Sequence, residues 1–301
     1  MSNFEQQAAK IRNQPGFIAA LDQSGGSTPK ALKLYGIAEN TYSGDAAMMD
    51  LVHQMRTRIV ASPAFTGQRI AGAILFEATM DRDFGGKPAA DFLWNNKQVV
   101  PFLKIDKGLA DEVNGVQLMK PMPTLDDLLK KAKSKGIFGT KERSVINLAN
   151  AAGIAAIVAQ QFEIGTQVLA AGLMPILEPE VNIKSPERVA ADAILRNEIL
   201  KALDAMPAGA EVILKLSIPA QAGVFDPLVD HPKVLRVVAL SGGFARPEAC
   251  AELAKNRGMI ASFSRALLED LRHQMCSEEF DGALGGAIDE IHAASAEKVG
   301  R

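Results

Sequence analysis

Eight short apolar runs, at 17–21, 70–76, 99–105, 137–141, 173–177, 212–218, 235–240 and 259–263, punctuate the chain, each followed by turn-forming or polar residues. Runs of this length read as strands buried on both faces, the form a parallel sheet takes when helices cover it. The intervals between them carry helical patterns, so the chain repeats strand, loop and helix with no linker or low-complexity tract. Eight such units over 301 residues point to a single (β/α)8 barrel spanning 1–301, with an added N-terminal helix and a C-terminal helical tail. An open, doubly wound sheet would give a similar local pattern.

Start and stop signals define the helices. Ser2-Asn3-Phe4-Glu5 is a capping box, and the helix it opens should end before Pro15-Gly16. Thr28-Pro29 opens a short helix that Gly36 closes. Met48, Met49, Val52, Met55 and Ile59 lie at helical spacing in 45–62, a stripe best read as core. Further helices are expected at 88–94, after Thr124 as far as Gly136, at 148–171 with an interruption before Gly172, from Ser185 to about 206, at 247–256 and at 264–275.

Composition narrows the function. A net charge of −2 provides no basic field for nucleic acid. The start lacks a signal peptide and no apolar stretch approaches the ~20 residues that span a bilayer, so a cytoplasmic location is expected. Cys250 and Cys276 form no metal-ligand spacing and read as buried or half-buried structural thiols. None of His53, His231, His273 and His292 ends a strand, which argues against an imidazole zinc site and against a Ser-His-Asp hydrolase.

Charge is concentrated where chemistry is expected. Asp22, Lys104, Asp106, Lys141, Glu178, Glu180 and Lys215 lie toward the C-terminal ends of strands, which converge on one mouth in a barrel. Lys215 sits in Val212-Ile213-Leu214-Lys215-Leu216-Ser217-Ile218 with no acid within two residues. Burial favours the neutral, nucleophilic amine, so Lys215 is the candidate for a Schiff base. Lys104 has Asp106 on the same face of an extended chain, and Lys141, in Lys141-Glu142-Arg143, is also expected to remain cationic. Glu178 and Glu180 face one side of a strand end, where proximity would raise the pKa of one and create a proton-transfer group. Ser241-Gly242-Gly243 offers a nest of backbone N–H groups for phosphate after strand seven, and Arg265 after strand eight matches phosphate geometry. A second anion site is read in Ser24, Gly25, Gly26 and Ser27 with Arg143.

These segments resemble the class I, Schiff-base fructose-1,6-bisphosphate aldolases, most closely their short bacterial branch. The likeness runs through Leu21-Asp22-Gln23-Ser24-Gly25-Gly26-Ser27, Phe102-Leu103-Lys104-Ile105-Asp106, Lys141-Glu142-Arg143, Ile176-Leu177-Glu178-Pro179-Glu180, Ile213-Leu214-Lys215, Leu240-Ser241-Gly242-Gly243 and Ser262-Phe263-Ser264-Arg265. It implies a Schiff base on Lys215 and Glu178 as the principal acid and base. Asp22, Lys104, Lys141 and Glu180 would line the same site. Ser241, Gly242, Gly243 and Arg265 would hold one phosphate, with Ser24, Ser27, Lys104 and Arg143 near the other. The expected partner is a phosphosugar, with neither nucleic acid nor membrane involved and no metal or organic cofactor required; a homo-oligomer is compatible with the sequence. Two features depart from the family pattern. The chain ends in Lys298-Val299-Gly300-Arg301 where the animal enzymes carry a tyrosine, and Glu142 stands where an aromatic residue is common. Three other readings stay open: a Schiff-base aldolase for another phosphorylated ketose or keto acid, a phosphate-cofactor barrel oxidoreductase of flavin type, and a non-enzymatic binding protein, which gives no reason for lysines and acids at so many strand ends.

Overall fold

The computed structural model describes residues 1–299. Eight parallel strands form its frame: β1 (Phe17–Leu21), β2 (Ile70–Leu75), β3 (Val100–Lys104), β4 (Gly139–Ile146), β5 (Met174–Val181), β6 (Val212–Ser217), β7 (Val234–Leu240) and β8 (Met259–Ala261). Each pairs with the next in sequence order. A backbone bond from Ala20 N–H to the Phe263 carbonyl, 3.2 Å long, brings the end of the cycle back to β1. The result is a nearly closed barrel with helices between the strands, as the alternating pattern requires.

The helices that matter for the site are α1 (Asn3–Asn13), α2 (Ser27–Leu34), α3 (Gly44–Ala61), α4 (Leu125–Ser134), α5 (Ala151–Ala170), α6 (Arg188–Ala205), α7 (Arg246–Ala254) and α8 (Ser277–Ala296). In α1 the expected capping box is present, with both the Ser2 and Glu5 side chains engaged. This helix packs at the end of the barrel opposite the mouth. Its Ile11 joins the interior apolar cluster, and Phe4 lies 4.8 Å from Phe138, ring centroid to ring centroid.

Period-two alternation explains how one strand carries both core and chemistry. Ala20, Phe102, Ile176 and Ile213 belong to the interior apolar cluster. Two residues further along each strand, on the same face, stand Asp22, Lys104, Glu178 and Lys215. The lower barrel is therefore a dry plug, and the layer above it is ionised. The alternate residues, such as Leu177, Leu214 and Leu216, join the shell between strands and helices.

Several expected boundaries shift. The fourth strand was expected over 137–141 but runs Gly139–Ile146, and the fifth continues through Glu178-Pro179-Glu180 to Val181. The two pair residue for residue from Gly139↔Met174 to Ile146↔Val181, and a two-residue ribbon, Val116–Gln117, pairs antiparallel with the end of β4. Polar alternation in Thr140-Lys141-Glu142-Arg143-Ser144 looks like loop, but here both faces of the strand are buried and polar. The helix expected at 148–171 is uninterrupted and starts later, capped by Asn150, whose side chain accepts the Gly153 N–H at 2.9 Å. The helix expected at 264–275 shrinks to Arg265–Leu268. Beyond it the carbonyls of His273, Met275 and Cys276 are taken by the Arg58 guanidinium rather than by a helical ladder. Cys250 is buried as expected, whereas Cys276 is exposed and caps α8, its sulfur accepting the Glu279 N–H. A small hairpin, Asp83–Phe84 with Lys87–Pro88, was not foreseen.

Candidate active site

The C-terminal ends of the strands open into a cavity of about 880 Å³. Lys215, Glu178, Asp22, Lys141, Glu180, Lys104, Arg143, Ser24, Ser241, Gly242 and Arg265 all line it. Gly243 lies in the same loop: a Cβ added there would sit 3.3 Å from an Arg265 guanidinium nitrogen. Ser27 opens α2, and its side chain lies outside the described part of the structure.

At the centre is a buried chain of alternating charge. Lys215 Nζ lies 2.9 Å from Glu178 Oε1, Glu178 Oε2 lies 3.0 Å from Lys141 Nζ, and Lys141 Nζ lies 2.7 Å from Asp22 Oδ2. Asp106 stands 3.9 Å from Lys141 on the other side and pairs with Lys104 at 2.8 Å. Register makes this possible. Lys104 and Lys141 are Cα partners of adjacent strands, as are Arg143 and Glu178, so residues far apart in sequence meet in one layer.

Burial disfavours the charged forms of Asp22, Glu178 and Lys141, and their neighbours decide the outcome. Burial pushes the Asp22 carboxyl up, but Lys141, Lys215 and Lys104 outweigh it and hold the group well below the usual carboxylate range. Glu178 is likewise lowered, because Lys141 and Lys215 overcome burial. Burial pulls Lys141 down, yet Asp22, Glu178 and Asp106 raise it above an ordinary lysine. The cluster is thus two carboxylates clasping a fixed ammonium.

Two expectations need correction. Lys215 is not surrounded by apolar groups alone; its strand neighbours are apolar, but its amine meets Glu178 across the barrel wall, a contact that sequence adjacency cannot show. The Glu178 carboxyl is lowered, not raised. Glu180 is engaged by Arg143 Nε at 2.5 Å, and Glu178 sits between the side-chain nitrogens of Lys215 and Lys141. Lys141 does remain cationic, though through Asp22 and Glu178 rather than through its neighbour Glu142. That residue points to the outer face of β4, where burial lifts its carboxyl well above the usual range despite a bond from Thr140 Oγ1 (3.2 Å).

Two sets of cationic or N–H-bearing groups line the mouth. One is Ser241, Gly242 and Arg265, with Gly242 and Gly243 at φ +62° and +126°. A Cβ at Gly242 would strike the Ile183 side chain, so the turn accepts only glycine there. The other set is Ser24, Lys104 and Arg143, the last fixed by Glu180. Such N–H nests and fixed guanidinium groups bind phosphate.

Sequence reading missed one buried scaffold. Arg56 on α3 is fully buried, donating to the Gln23 carbonyl at 2.5 Å and to Thr79 Oγ1 at 2.6 Å, and burial lowers it to about 10. Gln23 in turn donates to Ser264 Oγ at 2.7 Å, next to Arg265. Arg56 therefore ties the loop after β1 to Thr79 beyond β2, and Gln23 ties that loop to the one after β8. The available signal was a charged residue set beside Val52, Met55 and Ile59 on the apolar stripe.

The class I fructose-bisphosphate aldolase family model matches residues 3–216. The chain is 58% identical over 291 residues to the "Fructose-bisphosphate aldolase class 1" of Synechocystis sp., covering 97% of each protein. In fold it is similar to a fructose-bisphosphate aldolase from Plasmodium falciparum, solved with TRAP and a small-molecule inhibitor; the TM-score is 0.82 at 21% identity over 99% of this chain and 95% of that one. With these likenesses beside a buried lysine and carboxylate at the mouth of a barrel, the chain belongs to the class I fructose-bisphosphate aldolases.

Proposed function

We propose that this chain cleaves fructose 1,6-bisphosphate reversibly to dihydroxyacetone phosphate and glyceraldehyde 3-phosphate through a Schiff base on Lys215. The observation that carries the reading is the contact of Lys215 Nζ with Glu178 at 2.9 Å inside a cavity that Lys104, Arg143 and Arg265 also line.

Lys215 attacks the C2 ketone, and Glu178 takes the proton that the amine must lose. Glu178 returns it to the C2 oxygen to give a carbinolamine, and a second proton, taken up from solvent through Glu178, lets that oxygen leave as water, so that an iminium remains. Asp22 or Glu178 then accepts the C4 hydroxyl proton, the C3–C4 bond breaks, and its electron pair moves into the iminium to give an enamine. Protonation at carbon and hydrolysis release dihydroxyacetone phosphate and restore the amine. Lys141 stays charged throughout and holds Asp22 and Glu178 in place. Glu180 fixes Arg143 at 2.5 Å, which binds phosphate with Lys104, Ser24 and Ser27 at one end, while Ser241, Gly242, Gly243 and Arg265 bind it at the other. The chemistry needs no metal or organic cofactor, and the reading places the protein in the cytoplasm.

The experiment is a coupled assay on a panel of phosphosugars with wild-type protein and Lys215→Met. Cleavage of fructose 1,6-bisphosphate that survives a chelator and is lost in the variant supports the reading. A preference for another phosphoketose, or full activity in Lys215→Met, contradicts it.

A further inference from the structure

The outer face of β4 is polar where a helix covers it. Thr140, Glu142 and Ser144 are each fully buried. Helix α5 otherwise turns apolar side chains inward, Ile154, Ile157, Val158 and Val168 among them, but at this level it presents Gln161, which is 1% exposed. Burying an amide costs free energy unless its bonds are made, and here they are made to two strands. Gln161 Nε2 donates to Ser144 Oγ at 2.8 Å and to the Glu142 carbonyl at 3.3 Å, while its Oε1 accepts the Glu178 N–H at 3.2 Å. The helix comes close enough for this because Gly165, one turn on, has no side chain; a Cβ there would sit 3.0 Å from Leu177.

We infer that Gln161 is a positioning residue for Glu178. It clamps β4 to β5 at the register pair Arg143↔Glu178 and holds the Glu178 backbone from behind. The carboxylate on the opposite side is thereby kept against Lys215 and Lys141, at 2.9 and 3.0 Å. A methionine would fill the same volume, so shape alone does not require an amide; two-ended hydrogen bonding does. The inference rests on the proposed Schiff-base reaction, in which the proton passing between amine and carboxylate needs a short, fixed contact.

The test uses Gln161→Met, Gln161→Glu and, as a purely packing control in the same helix, Ile157→Val. Loss of alignment of about 1 Å costs on the order of 10²-fold in rate. Gln161→Met is expected to lower kcat by about 10- to 100-fold with KM within about threefold, and to slow borohydride trapping on Lys215 in proportion. Gln161→Glu retains a donor and an acceptor while its buried carboxyl is protonated. It should approach wild-type rate at low pH and lose it as pH rises, a limb absent from the wild type. Ile157→Val should lower Tm and leave kcat alone. The inference is overturned if Gln161→Met loses only Tm, as the control does. It is also overturned if Gln161→Glu follows the wild-type pH profile, and this second arm decides the matter should the methionine variant not fold. Wild-type protein without cleavage or a Lys215 adduct would overturn the functional reading itself, whereas an active wild type with an unaltered Gln161→Met overturns the inference alone.

Discussion

Lys215 on β6 and Glu178 on β5 meet at 2.9 Å with both side chains 4% exposed, while the second Glu178 oxygen faces Lys141 at 3.0 Å. One carboxylate therefore faces the proposed nucleophile and a fixed cation at once. Removing it should separate binding from chemistry. Glu178→Gln is expected to lower kcat by about 10²- to 10⁴-fold with a much smaller change in KM, as steady-state kinetics would read.

The same contacts set an acid limit to stability. Asp22 and Glu178 are both held below their ordinary values in the folded protein, by Lys141 and Lys215 acting against burial. A carboxyl whose pKa is lowered on folding contributes stability above its unfolded value, about 3.9 for Asp and 4.3 for Glu. That contribution is lost as pH falls through the folded value. Denaturant midpoints should therefore drop steeply below about pH 4, and Asp22→Asn should flatten the drop.

Lys141 makes the reciprocal case. Its side chain is 3% exposed, with Asp22 at 2.7 Å and Glu178 at 3.0 Å. Lys141→Met leaves two buried carboxylates without their common partner. Breaking a buried pair from one side costs about 3–5 kcal/mol. Urea titration should show that loss, and adding Asp22→Asn should recover part of it.

Glu142 predicts a shift of opposite sign. Burial lifts its carboxyl well above the usual range, so the folded protein holds a proton that the unfolded chain releases above about pH 4.3. Stability from this group is present below that pH and declines as pH rises toward the folded value. Glu142→Gln keeps the shape without the titration. Its Tm should exceed that of the wild type at pH 8, with the difference vanishing near pH 4.

Arg265 lies exposed at the rim, beside Gly243. A hydrogen bond to a charged group contributes about 1.5–3 kcal/mol. Arg265→Ala should accordingly raise KM for fructose 1,6-bisphosphate by about 10- to 100-fold and change kcat less. An unchanged KM would remove Arg265 from the phosphate site.

The order of strands and the residues at their ends were legible because short apolar runs and strand-end charges are local features. Lys215, Glu178, Asp22 and Lys141 could be named from them. Partnership was not legible. Lys215 was assigned an apolar setting because its partner Glu178 is 37 positions away, on the neighbouring strand. The length of β4 was hidden by alternation of polar residues on both faces, and Gln161 by the apolar helix around it. Arg56 was concealed in the same way, since a buried arginine that bonds backbone and hydroxyl groups looks, in sequence, like one more solvated charge.

The most direct test of a Schiff base on Lys215 is borohydride reduction with dihydroxyacetone phosphate, followed by mass mapping of the peptides. The expected result is one covalent adduct, on the peptide carrying Lys215, formed slowly in Glu178→Gln and absent from Lys215→Met. An adduct on Lys141 or Lys104, or none in a protein that turns over substrate, would contradict the assignment.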